Sequence, residues 1–180
     1  SVVGIEFASI FSALGTRVSV VGRKTFLKDT DDQLAKRYRS MLSRDGVEVD
    51  IGVEFSQIVQ TDAGKLRVEY ERKGKPASME GDVVLLSTGR SPYTDGLGLE
   101  ALSIEMEGRS IKVNRRMETN IPGIYAVGDV IPGPQLAHVA SYEGEVAVEN
   151  ALGHAREADY RAVPACIFTM PEIASVGWTA

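Results

Sequence analysis

The chain has 180 residues and a mass of 19.5 kDa, 43% hydrophobic and 25% charged, which suits one ordinary domain or two small ones and excludes a disordered chain. A net charge of -5 and a pI near 5.1 argue against a general binder of nucleic acid or anionic membrane, and no apolar run approaches the roughly 20 residues of a membrane span. One cysteine, Cys166, and two histidines exclude an intrachain disulfide and a cysteine-based zinc site; with no signal-peptide pattern at the start, a reducing, cytoplasmic setting is expected.

Residues 1–14, SVVGIEFASIFSAL, read as a helix that is apolar on nearly every face and is therefore expected to be buried. Gly15 is its expected C-terminal cap. The β-branched run at 17–21 reads as a buried strand, and a helix leading into such a strand suggests a parallel α/β sheet. No strand precedes that first helix, so a partial domain is expected. Thr30 is expected to cap the next helix, with Gln33 completing a capping box. Leu34, Tyr38, Met41 and Leu42 share one face of that helix, and Gly46 ends it. Residues 47–50 read as a second parallel strand. From 53 to 78 the pattern alternates, which predicts antiparallel hairpins turning at Asp62-Ala63-Gly64 and near Gly74. VVLL at 83–86 reads as another buried strand, running into Ser87, Thr88, Gly89 and Arg90. A loop-rich stretch with Pro92, Gly96 and Gly98 follows. Short strands are then expected at 110–113 and 123–126, a long helix at 136–152 stopped by Gly153, and a last strand at 165–169.

Gly4 lies in the first turn of the opening helix. The dinucleotide fingerprint G-x-G-x-x-G/A places its last small residue there, for close packing of helix on strand. A single glycine fits any packed helix equally well; the strand one helix later adds the context the fingerprint requires. An NAD-binding strand ends in an acid that holds the adenine-ribose hydroxyls. Here it ends in Gly22, followed by Arg23 and Lys24. Guanidinium and ammonium groups suit a 2′-phosphate, which leans toward NADP(H). The other reading is a solvated turn of Arg23, Lys24 and Lys28. Glu6 is the one acid in its helix. It either complements the helix dipole or faces a cavity and pairs with a cation or ligand amide. The most informative stretch is 119–138, TNIPGIYAVGDVIPGPQLAH. A short strand at 124–127 runs into Gly128, which admits close backbone approach, and Asp129, which can accept from sugar hydroxyls. Two prolines then lead to a helix N-terminus with unpaired N–H groups.

The string TNIPGIYAVGD is similar to the second FAD-binding motif of the pyridine nucleotide-disulfide oxidoreductases, and GPQLAHVASYEG resembles the form found in dihydrolipoyl dehydrogenases. VVGIEFASIFSALGTRVSVV resembles the family's NAD(P) fingerprint helix and second strand. VVLLSTGRSPYTDGLGLEAL resembles its hinge back to the FAD domain, and VPACIFTMPEIASVGWT the beginning of its dimerisation domain. The resemblance implies an α/β chain: a Rossmann-like NAD(P)-binding domain without its first strand at 1–90, the second segment of an FAD-binding domain at 91–157, and the start of a C-terminal dimerisation domain at 158–180. FAD and NAD(P) are the implied cofactors.

The resemblance further implies residue roles. Asp129, after Gly128, would hydrogen-bond the FAD ribitol. Leu136, Ala137 and His138 would lie along the flavin's pyrimidine edge, though His138 also reads as a structural residue of the helix start. Glu6 would sit by the nicotinamide and pair with a flavin-side lysine outside this chain. Gly4 would pack near the pyrophosphate, and Gly89 and Arg90 would belong to the hinge near bound nucleotide. Two departures stand out. Gly22 occupies the place where dihydrolipoyl dehydrogenases usually carry Glu, and Arg23 looks more like NADP(H)-using glutathione reductases and soluble pyridine nucleotide transhydrogenases. The family's redox cysteine pair and its proton-shuttling His-Glu pair are not among these residues, so no catalytic residue and no metal ligand is assigned. Cys166 reads as a small buried hydrophobe and His154 as a surface residue. The implied parent activity carries two electrons from dihydrolipoamide through a disulfide and FAD to NAD(P)+, in a homodimer serving a 2-oxo acid dehydrogenase complex. A transhydrogenase, another flavoprotein disulfide reductase, or a non-catalytic nucleotide-binding fragment that associates through open strand edges are the alternatives.

Overall fold

A computed structural model describes residues 1–28 and 30–177. In chain order the elements are α1 (Val2–Ala13), β1 (Ser19–Gly22), α2 (Asp32–Arg44), β2 (Glu48–Ile51), β3 (Val53–Gln60), β4 (Leu66–Arg72), β5 (Lys75–Gly81), β6 (Met106–Glu107), β7 (Ser110–Ile111), α3 (Ala137–Ala151), β8 (Ala165–Ile167) and β9 (Ile173–Ser175). The fold is α/β. It forms two compact units, Ser1–Gly89 with Cys166–Ser175, and Arg90–Ala165.

In the first unit β1 and β2 pair in parallel, Val20 opposite Val49, with α2 as the connection between them. A parallel pair needs such a crossover, because no tight turn can reverse the chain twice. The core gathers Ile5, Phe26, Leu27, Ala35, Tyr38, Leu42, Val47, Ile167 and Ile173. β3, β4 and β5 then form the expected antiparallel meander. Its turns close at Gly64 (φ +76°) and Gly74 (φ +73°), backbone that glycine adopts without strain. The helices stop as the glycine spacing predicts. After α1, the Thr16 N–H reaches Phe11 O at 2.9 Å and the Gly15 N–H reaches Ser12 O at 3.0 Å. The same double bond closes α2 at Gly46 and α3 at Gly153.

Several expectations do not survive. α1 buries only Ile5, Ala8 and Ser9, while Phe7, Ile10 and Phe11 are at least two-fifths exposed. Within the described residues its partners lie on one side only, so the all-round apolar helix keeps an open face, on which Phe7 and Phe11 stack. β1 is half-buried at best for the same reason. Asp31, not Thr30, caps α2: its Oδ1 accepts from the Gln33 and Leu34 N–H groups at 2.9 and 3.0 Å. A carboxylate there adds charge to the capping bond. The buried face of α2 is Ala35, Tyr38 and Leu42; Leu34 turns outward. Residues 83–86 form no strand, and Val83 is 83% exposed. Apolar β-branched residues make a strand only with a ladder partner, and none of the described strands pairs there. At 123–126 a lone bridge, Tyr125 to Glu118, replaces the predicted strand. Cys166 is exposed on β8.

The second unit is loop-rich. A two-residue hairpin pair, β6 with β7, and the long helix α3 frame a core of Ile104, Ile111, Met117, Ile131, Val146, Ala147 and Ala158. A 3-10 turn, Gly128–Val130, packs against α3.

Candidate functional site

The chain enters this turn from Val127, which is extended, and reverses at Gly128 with φ +76°. A Cβ on Gly128 would sit 3.2 Å from the Ala140 Cβ of α3, so a bare backbone is needed for the turn to lie this close to the helix. The Ile131 N–H closes the turn on Gly128 O at 3.0 Å. The Gly128 N–H points inward, to Glu143 Oε2 at 2.7 Å. The Tyr160 hydroxyl donates to the other oxygen of that carboxylate, Oε1, at 2.8 Å. Burial, reinforced by this bond, pushes the Tyr160 phenol up from its ordinary value.

Asp129 comes next and turns outward. Its Oδ2 lies 3.1 Å from Arg90 Nη1, while Arg90 Nη2 donates to Gln135 O at 3.1 Å. One guanidinium thus links the turn to the loop that precedes α3. At the start of α3, Leu136 provides no side-chain cap. The Val139 and Ala140 N–H groups share Leu136 O at 3.0 Å, which leaves those of Ala137 and His138 without a partner among the described residues. Both residues are exposed. The His138 ring is otherwise engaged: its Nε2–H donates to Pro164 O at 2.9 Å, so the side chain anchors the helix start. The structure therefore brings together Arg90, Gly128, Asp129, Leu136, Ala137 and His138. The arrangement offers an exposed carboxylate as acceptor and two backbone N–H groups as donors.

The remaining predicted residues lie in the first unit. Gly4 lets the start of α1 approach Ser87: a Cβ there would meet the Ser87 Cβ at 3.3 Å, and the Ser1 and Ser87 hydroxyls bond at 2.8 Å. Glu6 lies in the second turn of α1, beyond the reach of a helix-dipole role, which acts in the first. Its Oε1 accepts from the Phe168 N–H at 2.9 Å, and Ser9 Oγ accepts from the Met170 N–H at 2.9 Å. Two side chains one turn apart thus hold the segment after β8. Gly22 ends β1 opposite Ile51, whose Cδ1 would stand 2.8 Å from any Cβ at that position. Arg23 and Lys24 are exposed in the bend that follows, and Gly89 (φ +122°) ends the first stretch of the unit.

Sequence reasoning missed Glu143 and Tyr160. The available signal was an acid at 143 on the same stripe as Val139, Val146 and Ala147, all buried. It also missed Asp50, a buried carboxylate that accepts from the Tyr70 hydroxyl and pairs with Arg72 Nη1, both at 2.8 Å. This trio stands beside an open cleft of about 460 Å³ lined in part by Ser43, Glu48 and Met79. Among the described residues no cluster of His, Cys, Asp or Glu could hold a metal ion, and no helix is long and apolar enough to cross a membrane.

The profile described as pyridine nucleotide-disulphide oxidoreductase matches residues 1–144. The chain belongs to this family. It is 40% identical over 178 residues to the dihydrolipoyl dehydrogenase of Geobacillus stearothermophilus, covering 98% of this chain and 38% of that protein. It is 39% identical over 181 residues to the mitochondrial dihydrolipoyl dehydrogenase of Pisum sativum, covering 98% and 36%. Among solved structures it resembles LpdA from Mycobacterium tuberculosis, with a TM-score of 0.87 and 33% identity over 98% of this chain and 38% of that one. It also resembles the HOCl-induced flavoprotein disulfide reductase RclA from Escherichia coli, solved as a Cu(II) complex, with a TM-score of 0.89 and 27% identity over 99% and 41%. This member of the pyridine nucleotide-disulphide oxidoreductases thus spans less than half the length of the relatives it matches.

Proposed function

We propose that this chain is the flavin- and nicotinamide-contacting part of a longer FAD-dependent dihydrolipoyl dehydrogenase, which oxidises the dithiol of dihydrolipoamide and reduces NAD(P)+. One observation carries the flavin assignment: an outward acceptor, Asp129, and two N–H donors without a partner among the described residues, on Ala137 and His138, occur in the same unit. These residues fit FAD. Gly128 leaves the turn bare of a side chain. With Oδ2 of Asp129 held by Arg90, Oδ1 has no partner among the described residues and can accept from ribitol hydroxyls. The open first turn of α3 directs N–H dipoles at an electron-rich ring edge and favours negative charge there. Bound FAD would supply the two-electron chemistry that links thiols to nicotinamide. The residues of this chain bind and orient. Its one cysteine cannot form a dithiol pair by itself, so thiol exchange is assigned to residues outside it.

In the first unit, we assign Gly4, Glu6, Gly22, Arg23 and Gly89 to the nicotinamide nucleotide. Arg23 and Lys24, exposed beyond β1, are suited to a 2′-phosphate. That observation favours a second reading, a soluble transhydrogenase moving hydride between NAD(H) and NADP(H). We place the whole protein in the cytoplasm as a homodimer, working with a 2-oxo acid dehydrogenase complex. The test is to purify the protein expressed from its whole reading frame, look for a flavin spectrum, and assay it with dihydrolipoamide and each nucleotide. Dihydrolipoamide-dependent reduction of NAD+ or NADP+ is the expected result. Transfer from NADPH to NAD+ with no response to dihydrolipoamide supports the second reading, and a protein that takes up no flavin overturns both.

A further inference from the structure

We propose that Glu143 is the positioning residue of the flavin site: it fixes the Gly128–Asp129 turn, and through it the direction of the Asp129 carboxylate, an inference that rests on the FAD reading above. Glu143 is 1% exposed and lies on the buried stripe of α3, where an apolar residue would be the default. Burying a carboxylate is costly unless its oxygens are used. Both are: Oε2 takes the Gly128 N–H and Oε1 takes the Tyr160 hydroxyl. Neither partner is a cation, so Glu143 is not here as half of an ion pair.

What the carboxylate holds is one particular N–H. Gly128 begins the 3-10 turn in a left-handed conformation, pressed against Ala140. Without an acceptor its N–H would be a part-buried donor with no partner, and the simplest relief is rotation of the 127–128 peptide. That rotation redirects the next residue, Asp129. Tyr160 completes the device by setting the rotation of the carboxylate. Its raised pKa keeps the phenol a donor across the physiological range.

The test uses the whole protein stripped of flavin, titrated with FAD and separately with NADPH, together with hydrogen exchange at the Gly128 amide. The variants are Glu143→Gln, Glu143→Leu and Tyr160→Phe. Glutamine can accept from Gly128 through its oxygen and donate to the Tyr160 oxygen through its amide. It should bind FAD within about threefold of wild type, since no bond is left unmade. Leucine offers no acceptor; FAD affinity should fall at least about tenfold, as for a lost bond to a charged group. NADPH affinity should not change, and the Gly128 amide should exchange faster. Tyr160→Phe should fall between the two. FAD binding by Glu143→Leu within about twofold of wild type overturns the proposal, as does a Glu143→Gln protein as weak as Glu143→Leu. FAD and NADPH affinities falling together would show general structural support instead, and also overturn it. Should Glu143→Leu not fold, a Tyr160→Phe protein with unchanged FAD affinity and unchanged Gly128 exchange does the same. A wild-type protein that binds no FAD sinks the flavin reading, while Gly128 exchange in the variants still reports whether Glu143 holds the turn.

Discussion

Replacing Gly128 by alanine should destabilise the second unit by about 2 kcal/mol, in two separable parts. The first part is conformational. At φ +76° an L side chain sits against its own carbonyl, at a cost of about 1 kcal/mol relative to glycine. The second part is contact. The new Cβ would stand 3.2 Å from the Ala140 Cβ, inside the 3.5–4.0 Å optimum for carbon pairs. The turn or the helix must give by a few tenths of an ångström, which costs about 1 kcal/mol in a packed site. Ala140→Gly removes that contact but itself costs about 1 kcal/mol as a helix-interior glycine. The double variant should therefore be more stable than the sum of the singles by about 1 kcal/mol, roughly a fivefold coupling in the folding equilibrium. Urea unfolding of the four proteins, followed by hydrogen exchange along α3 so that the first unit does not mask the signal, measures it. Additive effects, within about 0.5 kcal/mol, would refute the claim that Gly128 is required by close approach to the helix. A total cost below about 0.5 kcal/mol would refute the conformational part as well.

Three further outcomes follow from single groups. The Tyr38 hydroxyl is buried without a hydrogen-bond partner among the described residues, so Tyr38→Phe should raise stability by about 1 kcal/mol, read as a higher urea midpoint. Burial and Asp50 push Tyr70 up to about 12, so the folded state keeps a proton that the unfolded chain loses near 10. The stability this contributes is complete below pH 10 and is lost as pH rises to 12, by up to about 3 kcal/mol; Tyr70→Phe should flatten that part of the pH–stability curve. Arg23→Ala should weaken NADPH about tenfold more than NADH in the whole protein, and equal effects on both would make Arg23 a surface charge only.

The elements that depend on local chemistry were legible. Gly15, Gly46 and Gly153 announced three helix ends because only glycine takes the left-handed cap cheaply, and Gly64 and Gly74 announced the turns of the meander. The parallel pairing of β1 and β2 followed from a helix leading into a β-branched run, with a second helix and short strand after it. What failed depends on what lies alongside. An apolar helix with partners on one side keeps an exposed face, and VVLL without a ladder partner stays out of any sheet. Choosing Thr30 over Asp31 as the cap was a different error: both residue types cap, and one position of phase decides which is used.

The candidate site divides along the same line. Gly128, Asp129 and the start of α3 were legible as candidates because a ligand would need bare backbone, an acceptor and open N–H groups, and each has a residue signature; the structure brings them into one unit. Glu143 serves those residues through a contact 15 positions away, and its signature is only an acid on a stripe that is otherwise apolar. Such an acid is expensive to keep unless something requires it. Asp50, the other buried carboxylate, obeys the same logic with a different object: its donors, Tyr70 and Arg72, come from β4, so it ties the antiparallel sheet to the end of β2. A buried acid on an apolar stripe is therefore a request for a partner, and the partner tells what it is for. For Asp50 it is two side chains of a neighbouring sheet, which makes it a joint. For Glu143 it is the backbone N–H at the start of the turn that carries Asp129, and the proposed positioning role rests on that bond.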